Sequence, residues 1–211
     1  HTHAPLPPCV GVPASTRGQI LYRLAEMVAT RASSLVDEIR AGNQRSESAA
    51  RKEVASAVEL ITFYAGLPDK LQQLLGAQNE VAGPFFNFST VEPSGVLGAV
   101  APDEPSLLGA LAMSLPLLAG GNTVVLLVSE SSPLSGLALG ELLAVSDVPG
   151  GVINLLAGEK SELLPQFASH RDVNGLLIAG APDVSVSEAA ADSVKRVRFA
   201  DLSPRDWNNV K

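Results

Sequence analysis

From Gly95 onward, short apolar runs at residues 96–100, 123–128, 152–156, 176–178 and 197–199 alternate with stretches long enough for one helix each. Runs this short and this rich in Val, Ile and Leu read as buried strands. One strand and one helix per repeat is the βαβ unit, whose right-handed crossover lays successive strands parallel. The expectation for residues 95–211 is therefore an α/β fold with a doubly wound, Rossmann-like parallel sheet. No G-x-G-x-x-G follows the first strand, so a nicotinamide cofactor does not follow from that fingerprint.

Residues 1–76 read as helices packing on this sheet. Ile20, Leu24, Met27 and Val28 share one helical face, and Leu35 and Ile39 continue it after the cap-like Ser33-Ser34, with Gly42 expected as a stop. A long helix is predicted over 46–65 from the stripe of Val54, Val58, Ile61 and Ala65, with Gly66 ending it before a short helix at 69–75. Residues 77–94 read as an extended strand or hairpin arm carrying Phe85, Phe86, Phe88 and Val91. Bare, those side chains would make a sticky edge, so a cover is expected, either the domain's own helices or a partner.

Composition narrows the function classes. With a net charge of -7 and Lys195, Arg196 and Arg198 as its one basic knot, read as a solvated strand edge, the chain is expected to bind neither nucleic acid nor an anionic membrane. Residues 105–129 carry no charge and are long enough to span a bilayer. Pro116 and Gly120-Gly121-Asn122 interrupt them, however, and the β-branched run that follows makes helix, turn, strand the reading. Cys9 is the single cysteine, which excludes an internal disulfide or a Cys-based zinc site and suits a reducing, cytoplasmic compartment. His1, His3 and His170 lack metal-ligand spacing and read as surface residues. The start at His1-Thr2-His3, without Met or leader, reads as a fragment or processed product.

Several collinear segments carry a more specific signal: 17–29 (RGQILYRLAEMVA), Phe63-Tyr64-Ala65-Gly66 with Asp69-Lys70, Glu92-Pro93-Ser94-Gly95-Val96, Gly121-Asn122-Thr123-Val124-Val125, Ser129-Glu130 with Pro133-Leu134-Ser135, and Gly151-Val152-Ile153-Asn154 with Gly158. In order and spacing this set resembles the aldehyde dehydrogenase superfamily over about residues 17–195. The resemblance implies a cofactor domain with N-terminal helices and a hairpin arm.

It also implies roles, and many of the working residues differ. Where active members have Pro-Trp-Asn-Phe-Pro, this chain has Pro102-Asp103-Glu104-Pro105-Ser106, so the oxyanion-holding amide is replaced by the Glu104 carboxylate. The ribose-binding lysine of Lys-Pro-Ser-Glu is Leu127, followed by Val128. The Phe-Thr-Gly-Ser turn reads Ile178-Ala179-Gly180-Ala181, and a later glycine is Ser185. Asp183 and Glu188 place negative charge at the start of the next helix, where a pyrophosphate would otherwise gain from the N-terminus; Asp183 also reads as that helix's N-cap. Asp201 is the nearest remnant of the family's general-base glutamate. The chain stops before a catalytic cysteine is expected, and Cys9 stands far from any nucleophile position.

Pro102-Asp103-Glu104 and Pro204-Arg205-Asp206-Trp207 resemble the non-catalytic second domain of the two-domain aldehyde dehydrogenases of family sixteen. That resemblance implies a structural or interaction role, with no cofactor bound by this chain and NAD in the parent enzyme. Its implied partner is a catalytic domain or a second subunit in a homo-oligomer, with Phe85, Phe86, Phe88 and Val91 as the docking surface. Two alternatives stay open: a fragment of an active NAD(P)-dependent enzyme that oxidises aldehydes to carboxylic acids, and a binding module that retains a nucleotide at the strand ends.

Overall fold

The computed structural model describes residues 11–43 and 45–200. Cys9, His1, His3, Asp201 and the 204–207 segment lie outside the described residues. Among the described residues, eight helices and seven strands follow in the order α1 (Ala14–Thr30), α2 (Ala32–Asn43), α3 (Glu47–Ala65), α4 (Leu71–Leu75), β1 (Ala77–Asn79), β2 (Asn87–Ser89), β3 (Val96–Val100), α5 (Ser106–Ala119), β4 (Thr123–Leu127), α6 (Pro133–Val145), β5 (Ile153–Leu156), α7 (Lys160–Ser169), β6 (Gly175–Ala179), α8 (Val184–Ala191) and β7 (Arg196–Ala200).

Strands β3 to β7 form one sheet in the order β5-β4-β3-β6-β7, and every pair in it is parallel. The two-residue alternation of each strand divides the core. Ala99, Val124, Leu126 and Val128 face α1–α3, α5 and α6, whereas Val100, Leu127, Leu176 and Ile178 face α7 and α8 through Phe167, Ala168 and Val186. The expected helix, turn, strand at 105–129 is what forms. Gly121 turns at φ 84, a left-handed conformation that a side chain would strain, and Asn122 ties the turn to the sheet by accepting from the N–H groups of Ser94 (2.7 Å) and Gly95 (3.2 Å) while donating to Leu117 O (3.0 Å). Among the described residues no helix is long and apolar enough to cross a membrane.

Three local expectations change. Ser33 and Ser34 lie inside α2 rather than capping it. Gly42 also lies within α2, where a Cβ would run into the Ser132 side chain, so it serves close helix approach and not termination. Lys195 is not solvated edge: its ammonium donates to the carbonyls of Phe167, Ala168 (2.8 Å) and His170, closing the C-terminal end of α7 where a cation suits the helix dipole, and burial lowers its pKa.

Helix α6 seats against β4 because Gly136 has no side chain; a Cβ there would stand 2.8 Å from Val128 Cβ. Gly136→Ala should therefore force the two apart and lower stability by about 1–3 kcal/mol, a shift to be read as a drop of several degrees in thermal midpoint.

Candidate functional site

In a sheet of this order the chain leaves β3 toward one face and β6 toward the other, opening a crevice at the carboxyl ends of the strands. The loops after β3, β4 and β5 meet there through charge. Asp103 Oδ1 accepts from the N–H of Glu130 (2.9 Å) and of Ser131 (3.4 Å) and pairs with Lys160 Nζ at 2.9 Å. Glu130 Oε2 accepts from the Lys160 N–H at 2.9 Å, which covers the first turn of α7 with a carboxylate. Ser129 Oγ donates to the Asp103 carbonyl at 3.0 Å. Partial burial pushes the Asp103 carboxyl up, but the Lys160 hydrogen bond and charge, with the two loop N–H groups, outweigh it and leave its pKa below the ordinary carboxylate value.

One loop residue further on, Glu104 is exposed and pairs with Arg45 at 3.4 Å. Asp103 and Glu104 are both exposed loop acids, and each has a cationic partner drawn from elsewhere in the chain. Arg45 also bonds Glu53 Oε2 at 2.7 Å, and Glu53 Oε1 accepts from the N–H groups of Leu107 (2.9 Å) and Leu108 (3.2 Å). A buried carboxylate from α3 thus caps the N-terminus of α5, the first crossover helix, where a Rossmann-type pyrophosphate would bind.

The remaining predicted positions fall around this network. Leu127 is 0% exposed beneath α7 and Val128 equally buried toward α6, so both are core residues at the end of β4. Ala181 and Ser185 are exposed at the α8 entrance. Asp183 is the α8 N-cap, its Oδ1 accepting from Ser185 N (2.8 Å) and Ser185 Oγ (2.7 Å), bonds that lower its pKa. Glu188 stands past the first turn of α8. No group of three or more His, Cys, Asp or Glu among the described residues is placed to hold a metal.

The arm is the two-stranded antiparallel pair β1–β2. Phe85, Phe86 and Phe88 remain 73%, 72% and 59% exposed, so the chain's own helices do not cover them. Val91 is half-buried and pinned to α4 by Gln72, which bonds both its carbonyl (2.7 Å) and its N–H (3.1 Å). Sequence reasoning missed Glu53, Arg45 and Lys160. Glu53 did leave a signal, because a lone carboxylate on the buried stripe of Ala50, Val54 and Ala57 marks a polar group that needs partners.

A doubly wound parallel sheet with a strand-end crevice defines the nucleotide-domain class of α/β proteins. The aldehyde dehydrogenase family model matches residues 4–200. The chain belongs to that family. Relatives include cytosolic aldehyde dehydrogenase 1 of Macroscelides proboscideus, 33% identical over 190 residues that cover 87% of this chain and 37% of the relative. Retinal dehydrogenase 2 of Mus musculus is 34% identical, covering 87% and 36%, and omega-crystallin of Enteroctopus dofleini is 30% identical, covering 85% and 36%. PnpE from Pseudomonas sp. WBC-3 superposes with a TM-score of 0.85 at 26% identity, over 92% of this chain and 40% of that one. A Bacillus cereus aldehyde dehydrogenase solved as its NAD+ complex shares the fold at the same TM-score of 0.85 and 24% identity. The chain thus spans 37% of the length of the first of these relatives.

Two substitutions separate the roles of these acids. Glu53→Ala should cost roughly 2–4 kcal/mol in denaturant unfolding, since it leaves two α5 N–H groups without their acceptor and Arg45 with Glu104 alone. Lys160→Met should cost less than about 1 kcal/mol at neutral pH, because Asp103 is half exposed. A carboxyl whose folded pKa is depressed contributes stability above its unfolded pKa and loses it as pH falls. The gap between Lys160→Met and the parent should therefore close as pH drops below the ordinary aspartate range.

Proposed function

We propose that this chain is a non-catalytic aldehyde-dehydrogenase-type domain with a structural and interaction role in a larger, cytoplasmic, NAD-dependent aldehyde dehydrogenase, most like the second domain of the family-sixteen proteins. The observation that carries the reading is the strand-end crevice, whose two cations are already engaged: Lys160 with Asp103, and Arg45 with Glu53 and Glu104. Carboxylates stand at the helix ends that a pyrophosphate would use, Glu53 at α5, Glu130 at α7 and Asp183 at α8. Leu127 is sealed in the core, so it offers nothing to a ribose. These residues do not suit a dinucleotide, and no cofactor is assigned to this chain; NAD belongs to the parent enzyme.

Glu104, held by Arg45, presents an acceptor where transition-state stabilisation of an oxyanion calls for a donor. Asp201 has no assigned role. The partner in this reading is a catalytic domain or second subunit of a homo-oligomer, met by Phe85, Phe86, Phe88 and Val91 through packing or strand addition. Phe86 and Phe88 stack with centroids 5.4 Å apart, giving that surface a preformed aromatic anchor. A second reading, a piece of an active enzyme, is favoured by one observation: the relatives named as dehydrogenases are nearly three times this chain's matched share.

Calorimetry of the purified chain with NAD and NADP should show no binding tighter than about 0.1 mM, and the chain alone should turn over no aldehyde. Substituting Ser at Phe85, Phe86 and Phe88 together should weaken co-purification with the remainder of the parent polypeptide without lowering the chain's own thermal midpoint. Tight NAD binding would favour the second reading, and unaltered co-purification would remove the arm from the interface.

A further inference from the structure

Most basic side chains among the described residues are engaged: Arg23 with Asp147, Arg31 with Glu141, Arg40 with Asp37, Arg51 with Glu47, and Arg45, Lys160 and Lys195 as described above. Arg196 and Arg198 are exceptions that fall together. They sit two residues apart on β7, and their side chains pair with no described residue, although the chain as a whole carries excess acid. Alternate strand residues project from the same side, so both guanidinium groups stand over one groove.

That groove has a volume of about 440 Å³ and is walled by Leu97, Leu117, Leu177 and Val194 beside the two arginines. In the sheet register Arg196 lies next to Gly175 and Arg198 next to Leu177. Gly175 leaves the floor open; a Cβ there would come within 3.1 Å of both Leu97 Cδ2 and the Arg196 carbonyl oxygen. Ser94 and Asn174 also line it, which places it toward the amino ends of the strands, away from Asp103, Lys160 and Glu130.

Two unneutralised cations side by side repel, and a shared anion relieves them. An apolar wall beside them favours a ligand that also carries hydrocarbon, and the planar guanidinium fork matches the two oxygens of a carboxylate. We infer that this groove binds an amphipathic carboxylate, its head between Arg196 and Arg198 and its tail against Leu97, Leu117 and Leu177. The site is independent of the strand-end crevice and does not rest on the function proposed above.

The test is calorimetric titration of the complete polypeptide containing this chain with decanoate, with 1-decanol and decyltrimethylammonium as neutral and cationic counterparts. Decanoate should bind saturably at one site per chain, and the counterparts more weakly. Arg196→Gln/Arg198→Gln should weaken decanoate about tenfold to a hundredfold per lost charged hydrogen bond while leaving the thermal midpoint unchanged. NAD should not compete. No decanoate binding, equal binding of decanol, competition by NAD or an unchanged affinity in the double variant each overturns the assignment.

Discussion

A parallel sheet is stable only when both of its faces are covered, and that requirement organises this chain. Helices α5 and α6, backed by α1–α3, seal one face over β5, β4 and β3, while α7 and α8 seal the other. Every strand residue is committed to one side or the other, which is why Leu127 and Val128, adjacent in sequence, belong to different halves of the core. Beyond α5 the first face is less well covered, and the Arg196–Arg198 groove opens there beside the edge strand β7.

The strand ends show how a family scaffold accommodates substitution. Carboxylates at Asp103, Glu104 and Glu130 would repel one another if left alone, since each loop that carries them converges on the same crevice. Lys160 and Arg45 offset that charge, the loop N–H groups of Glu130 and Ser131 donate to the Asp103 carboxylate, and the α7 N–H of Lys160 donates to that of Glu130. The result is a crevice whose charged side chains pair with one another. Glu53 extends the same solution into the core, where a buried charge persists because Arg45 and two helix N–H groups satisfy it. The arm stands outside this logic: three phenylalanines remain in solvent, whereas Leu24, Leu107 and Leu142 of the helices are buried in the core.

Family membership and the parallel sheet were legible because apolar alternation and turn residues are local. Residues 96–100, 123–128, 152–156, 176–178 and 197–199 became β3 to β7 with shifts of no more than a residue or two at their ends, and Gly66 ends α3 as expected, while Ser46 caps it from just outside. The Glu104 carboxylate and the apolar Leu127 could be read directly as well, since residue type needs no coordinates. By contrast, Gly42 inside α2, Lys195 against the end of α7, Lys160 beside Asp103, and Arg45 between Glu53 and Glu104 join residues far apart in the chain or depend on how helices approach.

The sequence by itself thus determined the kind of fold and the family, because side-chain period and residue type are properties of the chain. Only the tertiary structure decided which charges meet, which phenylalanines stay bare and which arginine side chains lack a partner among the described residues. Those outcomes depend on distances of a few ångströms between separate loops and strands, and a hydrogen bond or ion pair exists only at such distances.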